Sequence, residues 1–212
     1  VEITWLGHSC FRLKGRDSTI VTDPFGKELG YPLPKLAPDV VTISHDEPNH
    51  AALAVLAGMP KTVDGPGEYE IAGVMIQGVA TRGGQQKAAG ASRNTAYSIR
   101  IDDLVVCHLG DLGSTLTAEQ VEALKDPDVL LVPVGGHCTI NAAEAAEVIA
   151  QLEPRIVVPM HYRTPAVNLP LESLDRFCSE MAVTEAQPQP RLVVNRSNIP
   201  EETTVVVLDY RR

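Results

Sequence analysis

The stretch Val40-Val41-Thr42-Ile43-Ser44-His45-Asp46-Glu47-Pro48-Asn49-His50 changes character at its midpoint. Its first half is apolar and β-branched, the composition of a buried strand. Its second half is histidine, carboxylate and amide, broken by a proline that a central strand does not accommodate. A strand that stops this abruptly places its polar side chains on a loop held by a rigid sheet, where binding and catalytic groups concentrate.

The same change recurs along the chain. Ile3 to Leu6 leads into Gly7-His8-Ser9, and Leu104 to Cys107 into His108-Leu109-Gly110-Asp111. Val129 to Val134 leads into Gly135-Gly136-His137, and Ile156 to Val158 into Pro159-Met160-His161. All six histidines therefore follow apolar runs. Imidazole and carboxylate together suit zinc, iron, manganese or nickel, and such an ion lowers the pKa of water to about 7. For any one of these histidines alone, a structural or solvated role is the plainer reading; their shared placement points to a common site.

Working outward, Cys10 to Lys14, Thr19 to Thr22, Glu68 to Ile71, Val74 to Ala80 and Thr95 to Ile101 read as further strands, and Ala51 to Ala57 as a short helix. Arg82 to Arg93 is polar and glycine-containing and reads as a mobile lid. The second half changes period. Thr117-Ala118-Glu119-Gln120 and Asn141-Ala142-Ala143-Glu144 are capping-box sequences, and Ala145, Val148, Ile149 and Leu152 follow at helical spacing. Arg155 to Pro159 reads as a strand, Leu171 to Met181 as a helix and Thr203 to Leu208 as a last strand. No linker divides the chain, so one domain over residues 1–212 is expected. It belongs to the α+β class, with two mixed sheets packed together and helices outside.

Composition narrows the function. The hydrophobic fraction of 44% supports a packed core. A net charge of −9 and 4% aromatic residues argue against a nucleic-acid partner, which would need a basic surface or stacking rings. No apolar run approaches the roughly 20 residues of a membrane span, and Val1-Glu2-Ile3-Thr4-Trp5 does not read as a signal peptide. Cys10, Cys107, Cys138 and Cys178 are widely spaced without a CxxC pair. Reduced thiols, a cytoplasmic location and a small-molecule substrate are the expectations, for a monomer or a homo-oligomer.

Ser44-His45-Asp46-Glu47-Pro48-Asn49-His50 resembles the H-x-H-x-D-H signature of the metallo-β-lactamase superfamily. Asp111 matches that superfamily's bridging aspartate, and His161 its last metal histidine. Gly7-His8-Ser9-Cys10-Phe11, Thr22-Asp23-Pro24, Gly65-Pro66-Gly67-Glu68 and Pro133-Val134-Gly135-Gly136 resemble the branch holding ascorbate-6-phosphate lactonase and metal-dependent hydrolases. The resemblance spans nearly the whole chain and implies an αββα sandwich with its site along one edge of both sheets.

It also implies a ligand set. The first metal site wants three histidines; His45 supplies one, Glu47 stands in the place of the second, and the third place falls near Gly83. The second site is nearly complete in Asn49, His50, Asp111 and His161. Asn49 is alternatively a helix cap. Asp111 and His50 are taken as catalytic, and His8, His108, His137 and Arg82 as substrate-side residues. For His108 an orienting role behind a ligand, and for His137 a substitute-ligand role, stay open; Asp23 is a lesser candidate for loop structure.

The expected cofactor is one divalent metal ion per chain or none, zinc first, with manganese, iron or nickel as alternatives. The expected activity is hydrolysis of a small ester, lactone or phosphate-bearing substrate. The alternative is a non-catalytic relative that binds a ligand or partner. Replacing Glu47 and Gly83 by histidine is expected to rebuild the three-histidine face.

Overall fold

Strand alternation in the N-terminal third builds a sheet with two buried faces. Trp5, Phe11 and Ile20 join one core cluster, while their neighbours Leu6, Cys10 and Val21 join a second. The computed structural model describes residues 1–84 and 92–210. In chain order the strands are β1 (Glu2–Gly7), β2 (Cys10–Lys14), β3 (Thr19–Thr22), β4 (Val40–Thr42), β5 (Lys61–Val63), β6 (Gly67–Ile71), β7 (Val74–Arg82), β8 (Arg93–Ile101) and β9 (Leu104–His108). Then come α1 (Ala118–Leu124), β10 (Val129–Pro133), α2 (Ala142–Leu152), β11 (Ile156–Met160), α3 (Leu174–Glu180), β12 (Leu192–Val193) and β13 (Thr204–Val205).

One sheet has the order β12-β1-β2-β3-β4-β5 and the other β13-β11-β10-β9-β8-β7-β6. Both are mixed. Antiparallel β1-β2-β3 continues into parallel β3-β4-β5, and antiparallel β6 to β9 continues into parallel β9-β10-β11-β13. The larger core cluster draws on both sheets and on α2, whose Ala145, Val148, Ile149 and Leu152 are buried as their spacing predicts. Tyr97 ties the sheets together: its hydroxyl donates to the carbonyls of Ile43 (2.7 Å) and Val63 (3.2 Å). The expected sandwich of two mixed sheets with flanking helices is therefore found. Both capping boxes form, Thr117 with Gln120 and Asn141 with Glu144. Among the described residues no helix is long and apolar enough to cross a membrane.

Three local readings need correction. Residues 51–57 do not form an α-helix but a 3-10 turn at Leu53–Val55, with Ala52 at its N-cap. The backbone there is committed elsewhere: Ala52 N–H donates to Pro24 O and Ala57 N–H to Leu36 O, so no helical ladder can grow. Asn49 consequently caps nothing. β7 and β8 run on to Arg82 and Arg93, which are cross-strand partners. The rest of the expected lid, residues 85–91, lies outside the described residues. The short strands β5 and β12 carry too few alternating residues to stand out in the sequence.

Parallel pairing is what positions the site. β3 and β4 end side by side in one sheet, and β9, β10 and β11 in the other. Backbone bonds stitch these ends across the sandwich: His161 N–H donates to His8 O at 3.2 Å, and Thr95 N–H to Ser44 O at 2.8 Å. Side chains leaving the carboxyl ends of parallel strands share one crevice.

Candidate metal centre

Each strand end turns sharply. His8, Asp23, His137 and His161 hold φ of 54°, 39°, 60° and 53°, a left-handed region that side chains with a Cβ seldom occupy. Such strain, repeated at one edge, is characteristic of a functional site.

Asp23 organises the first wall. Its carboxylate accepts from Ser44 N–H (2.8 Å) and Ser44 Oγ (2.6 Å), and pairs with His50 Nδ1 at 2.9 Å. Ser44 Oγ also meets His45 Nδ1 at 2.9 Å. With both Nδ1 atoms occupied, the two Nε2 atoms face Asp111: His50 Nε2 is 3.3 Å from Oδ1 and His45 Nε2 is 3.8 Å from Oδ2. His161 Nε2 approaches the same Oδ1 to 3.4 Å. Asp111 is itself held, since its backbone N–H donates to Asn94 Oδ1 at 2.9 Å, and Asn94 donates to Leu109 O and Thr81 Oγ1. His45, His50 and Asp111 thus bring one ligand atom each to within 4.8 Å of one another, as do Asp111, Cys138 and His161, and also His8, His50 and His161.

Two observations fit this cluster to a cation. Among the described residues, His50 Nε2 and Asp111 Oδ1 are buried and have no hydrogen-bond partner beyond the 3.3 Å ion-pair contact they make with each other. An unmet buried polar group costs about 1–3 kcal/mol, so a shared ligand for both is favourable. The charges agree. Burial alone would lower the His50 pKa, but the Asp111 and Asp23 carboxylates outweigh it and push it up to about 10. Burial would raise Asp111, but His161 and His50 hold it well below the usual carboxylate range. His8, His45 and His161 are lowered, first by burial and then by neighbouring histidines, which favours the neutral imidazole that binds metals. Burial, with Asp111 behind it, pushes the Cys138 thiol up to about 12.

The remaining candidates are distributed unevenly. Asn49 Nδ2 donates to His8 Nε2 at 3.0 Å, so this amide positions a neighbouring ring. His108 is fully buried: Nε2 meets Ser9 O at 2.8 Å and Nδ1 accepts from Gly110 N–H at 3.3 Å. It braces the turn carrying Asp111 and cannot touch substrate. Glu47 and His137 are exposed; they line a cleft of about 330 Å³ over the cluster but share no ligand grouping with it. Arg82 is exposed and does not line this cleft, whereas its strand partner Arg93 does. A larger cavity of about 860 Å³ beside Asp128 and Arg155 lies at the opposite ends of β10 and β11, away from the histidines.

Gly83 lines the cleft, but a Cβ there would overlap Ser92 Oγ and meet Ser92 O at 3.0 Å. A Cβ on Gly84 would overlap Cys138 O. A side chain at the expected histidine position would meet Ser92, so the Glu47 and Gly83 double replacement is not expected to rebuild a ligand face. Sequence reasoning gave Asp23 too small a part and missed Ser44, Asn94 and Cys138. For Asp23 the Thr22-Asp23-Pro24 motif was a signal; for Cys138 the only hint was its place beside His137 after Gly135-Gly136.

Comparison with known proteins identifies the fold family. Residues 2–161 match the β-lactamase superfamily domain. The chain is 31% identical over 192 residues to a UPF0173 metal-dependent hydrolase of Thermoplasma volcanium, covering 77% of this chain and 84% of that protein. It is 32% identical over 200 residues to a UPF0173 metal-dependent hydrolase of Methanoculleus marisnigri, covering 83% and 88%. A crystal structure of a metallo-β-lactamase superfamily protein from Thermotoga maritima superposes with a TM-score of 0.82 at 38% identity, over 98% of this chain and 97% of that one.

Proposed function

The chain belongs to the β-lactamase superfamily, and from that premise we propose that it is a metal-dependent hydrolase of a small ester, lactone or phosphate-bearing substrate. The observation that carries this reading is the pair His50 Nε2 and Asp111 Oδ1, buried, 3.3 Å apart and without other partners, with His161 Nε2 at 3.4 Å from the same oxygen. The names of the relatives, metal-dependent hydrolases, support the reaction class.

Asp111 groups with His45 and His50 on one side and with His161 on the other, and either side would hold a divalent ion. When bound, such an ion would supply Lewis acidity, lowering the pKa of water toward neutrality and polarising the scissile group. The chain's own residues do the rest. Asp23 fixes the His50 ring and directs Nε2 inward, the buried carboxylate–histidine arrangement that orients metal ligands. Asn94 and His108 hold the Gly110-Asp111 turn. Arg93, at the cleft wall, is placed to receive an anionic group of the substrate.

The test is metal content of the purified protein together with hydrolysis of a lactone, ester and phosphodiester panel before and after chelation. Activity lost on chelation and restored by zinc supports the reading. A protein that retains and takes up no divalent metal overturns it and leaves the non-catalytic relative.

A further inference from the structure

Cys138 is the cysteine that opens on the cleft; Cys10 and Cys107 are buried in strands and Cys178 lies on α3. Its Sγ is 3.9 Å from His161 Nε2, and Asp111 lies close to both. In a tetrahedral zinc site, with bonds of about 2.0–2.1 Å to N or O and about 2.3 Å to S, neighbouring ligand atoms sit about 3.3 Å apart for N and O and about 3.6 Å for N and S. The His161 Nε2 to Asp111 Oδ1 edge, at 3.4 Å, already has this length. The sulfur edge, at 3.9 Å, is about 0.3 Å longer than that reference, within reach of a small side-chain rotation. Asp111 Oδ1, buried and without a hydrogen bond, faces the same point.

The backbone shows why a thiol stands here. Gly136 and His137 are consecutively left-handed, at φ 61° and 60°, and Thr139 N–H closes the turn on Gly136 O at 3.1 Å. This turn lays the Cys138 carbonyl against Gly84, where a Cβ would overlap it, and a Cβ on Gly113 would in turn meet the Gly84 backbone. The segment bearing Cys138 thus fills the space that a side chain on Gly84 would need.

We infer that Cys138 binds the metal as a thiolate, completing an Asp111–Cys138–His161 site that selects zinc or cobalt(II) over magnesium and manganese. The inference rests on the metal-dependent reading above. Binding forms a sulfur–metal bond and breaks the S–H bond; the proton leaves to solvent through the cleft, and no oxidation state changes. Sulfur is a soft donor, and oxygen-preferring cations gain little from it.

The test loads the whole protein with cobalt(II) and records the near-ultraviolet thiolate-to-cobalt charge-transfer absorption. Zinc and manganese affinities are measured by chelator competition. The parent should show the band; Cys138→Ser should lose it and bind zinc at least about tenfold more weakly, with manganese affinity little changed. Cys178→Ser should keep the band. Cobalt bound without the band, or a band that survives in Cys138→Ser, overturns the thiolate ligand and leaves the hydrolase reading standing. A parent that binds neither cobalt nor zinc overturns both. Should Cys138→Ser not fold, zinc protection of Cys138 from alkylation in the parent decides: a tenfold slowing supports coordination, and an unchanged rate overturns it.

Discussion

The cleft has two walls made by opposite means. On the wall of Asp23, His50, Asp111 and His161, ring nitrogens and carboxylate oxygens are turned inward by buried groups behind them, Asp23 behind His50 and Asn94 behind the Asp111 turn. On the wall of Gly83, Gly84 and Gly113, side chains are absent and backbone touches backbone. The first wall is polar and poised for a cation; the second is closed by shape. The difference teaches that a wall can lack a ligand in two ways. A replaced ligand is reversible by one substitution, but a refilled volume is not.

The sharpest way to break this contrast is at its shared atom. Asp111 lies within 3.3 to 3.8 Å of His50, His161 and His45. Asp111→Asn keeps the shape and removes the negative charge and a carboxylate ligand. Metal affinity should fall by about a hundredfold or more, since even partners behind the ligands are worth 10–100-fold. Calorimetric titration with zinc checks this; a variant with parental affinity would show that the cation does not use Asp111.

The second wall is tested by stability. Gly84→Ala forces a methyl onto Cys138 O and should destabilise by about 3 kcal/mol, the upper end for overpacking. Gly65→Ala is the control, because its Cβ would meet nothing within 4 Å and its φ is not left-handed. Denaturant unfolding should separate the two. Gly83→His with Glu47→His should add no metal, because Ser92 occupies the place of the new side chain; added stoichiometry would mean that the Ser92 strand yields.

Asp23 sharpens the first wall from behind. Asp23→Asn retains an oxygen acceptor for His50 Nδ1 but removes the charge, so zinc affinity should fall about tenfold. A ligand bound to the native state at 100 times its Kd stabilises by about 2.7 kcal/mol. At a zinc concentration fixed at that multiple for the parent, the variant's thermal shift should therefore be about half the parent's, near 1.4 kcal/mol. Equal shifts would mean that Asp23 serves the fold alone.

What the sequence disclosed follows the same division. The first wall was readable because its residues sit where apolar strands stop: Val40 to Ser44 before His45, Leu104 to Cys107 before His108 and Asp111, and the β11 run before His161. The α2 face was readable because Asn141 and Glu144 mark its start and four apolar residues repeat at helical spacing. The second wall was not, since a glycine reports the absence of a side chain but not what fills the space. That Ser92 and the Cys138 carbonyl close over Gly83 and Gly84 is a long-range packing fact, with no local pattern to reveal it. Asn49 misled for a related reason: an amide before a proposed helix suggests a cap, but the backbone of residues 51–57 is held by Pro24 and Leu36, and the amide turns to His8.

The smallest expected effect concerns the rim, where Arg82 and Arg93 face each other across β7 and β8. Arg93 lines the cleft and Arg82 does not, although both are exposed. An exposed charge contributes on the order of 1 kcal/mol or less, so Arg93→Ala should raise KM for anionic substrates by up to about fivefold. Because the arginine does not touch the ligand cluster, zinc affinity and kcat should hold. The effect should shrink with added salt, which screens exposed charges. Arg82→Ala should leave KM unchanged for the same substrates. Equal effects from both variants would point to general attraction by surface charge, and would remove Arg93 from any specific contact with the substrate.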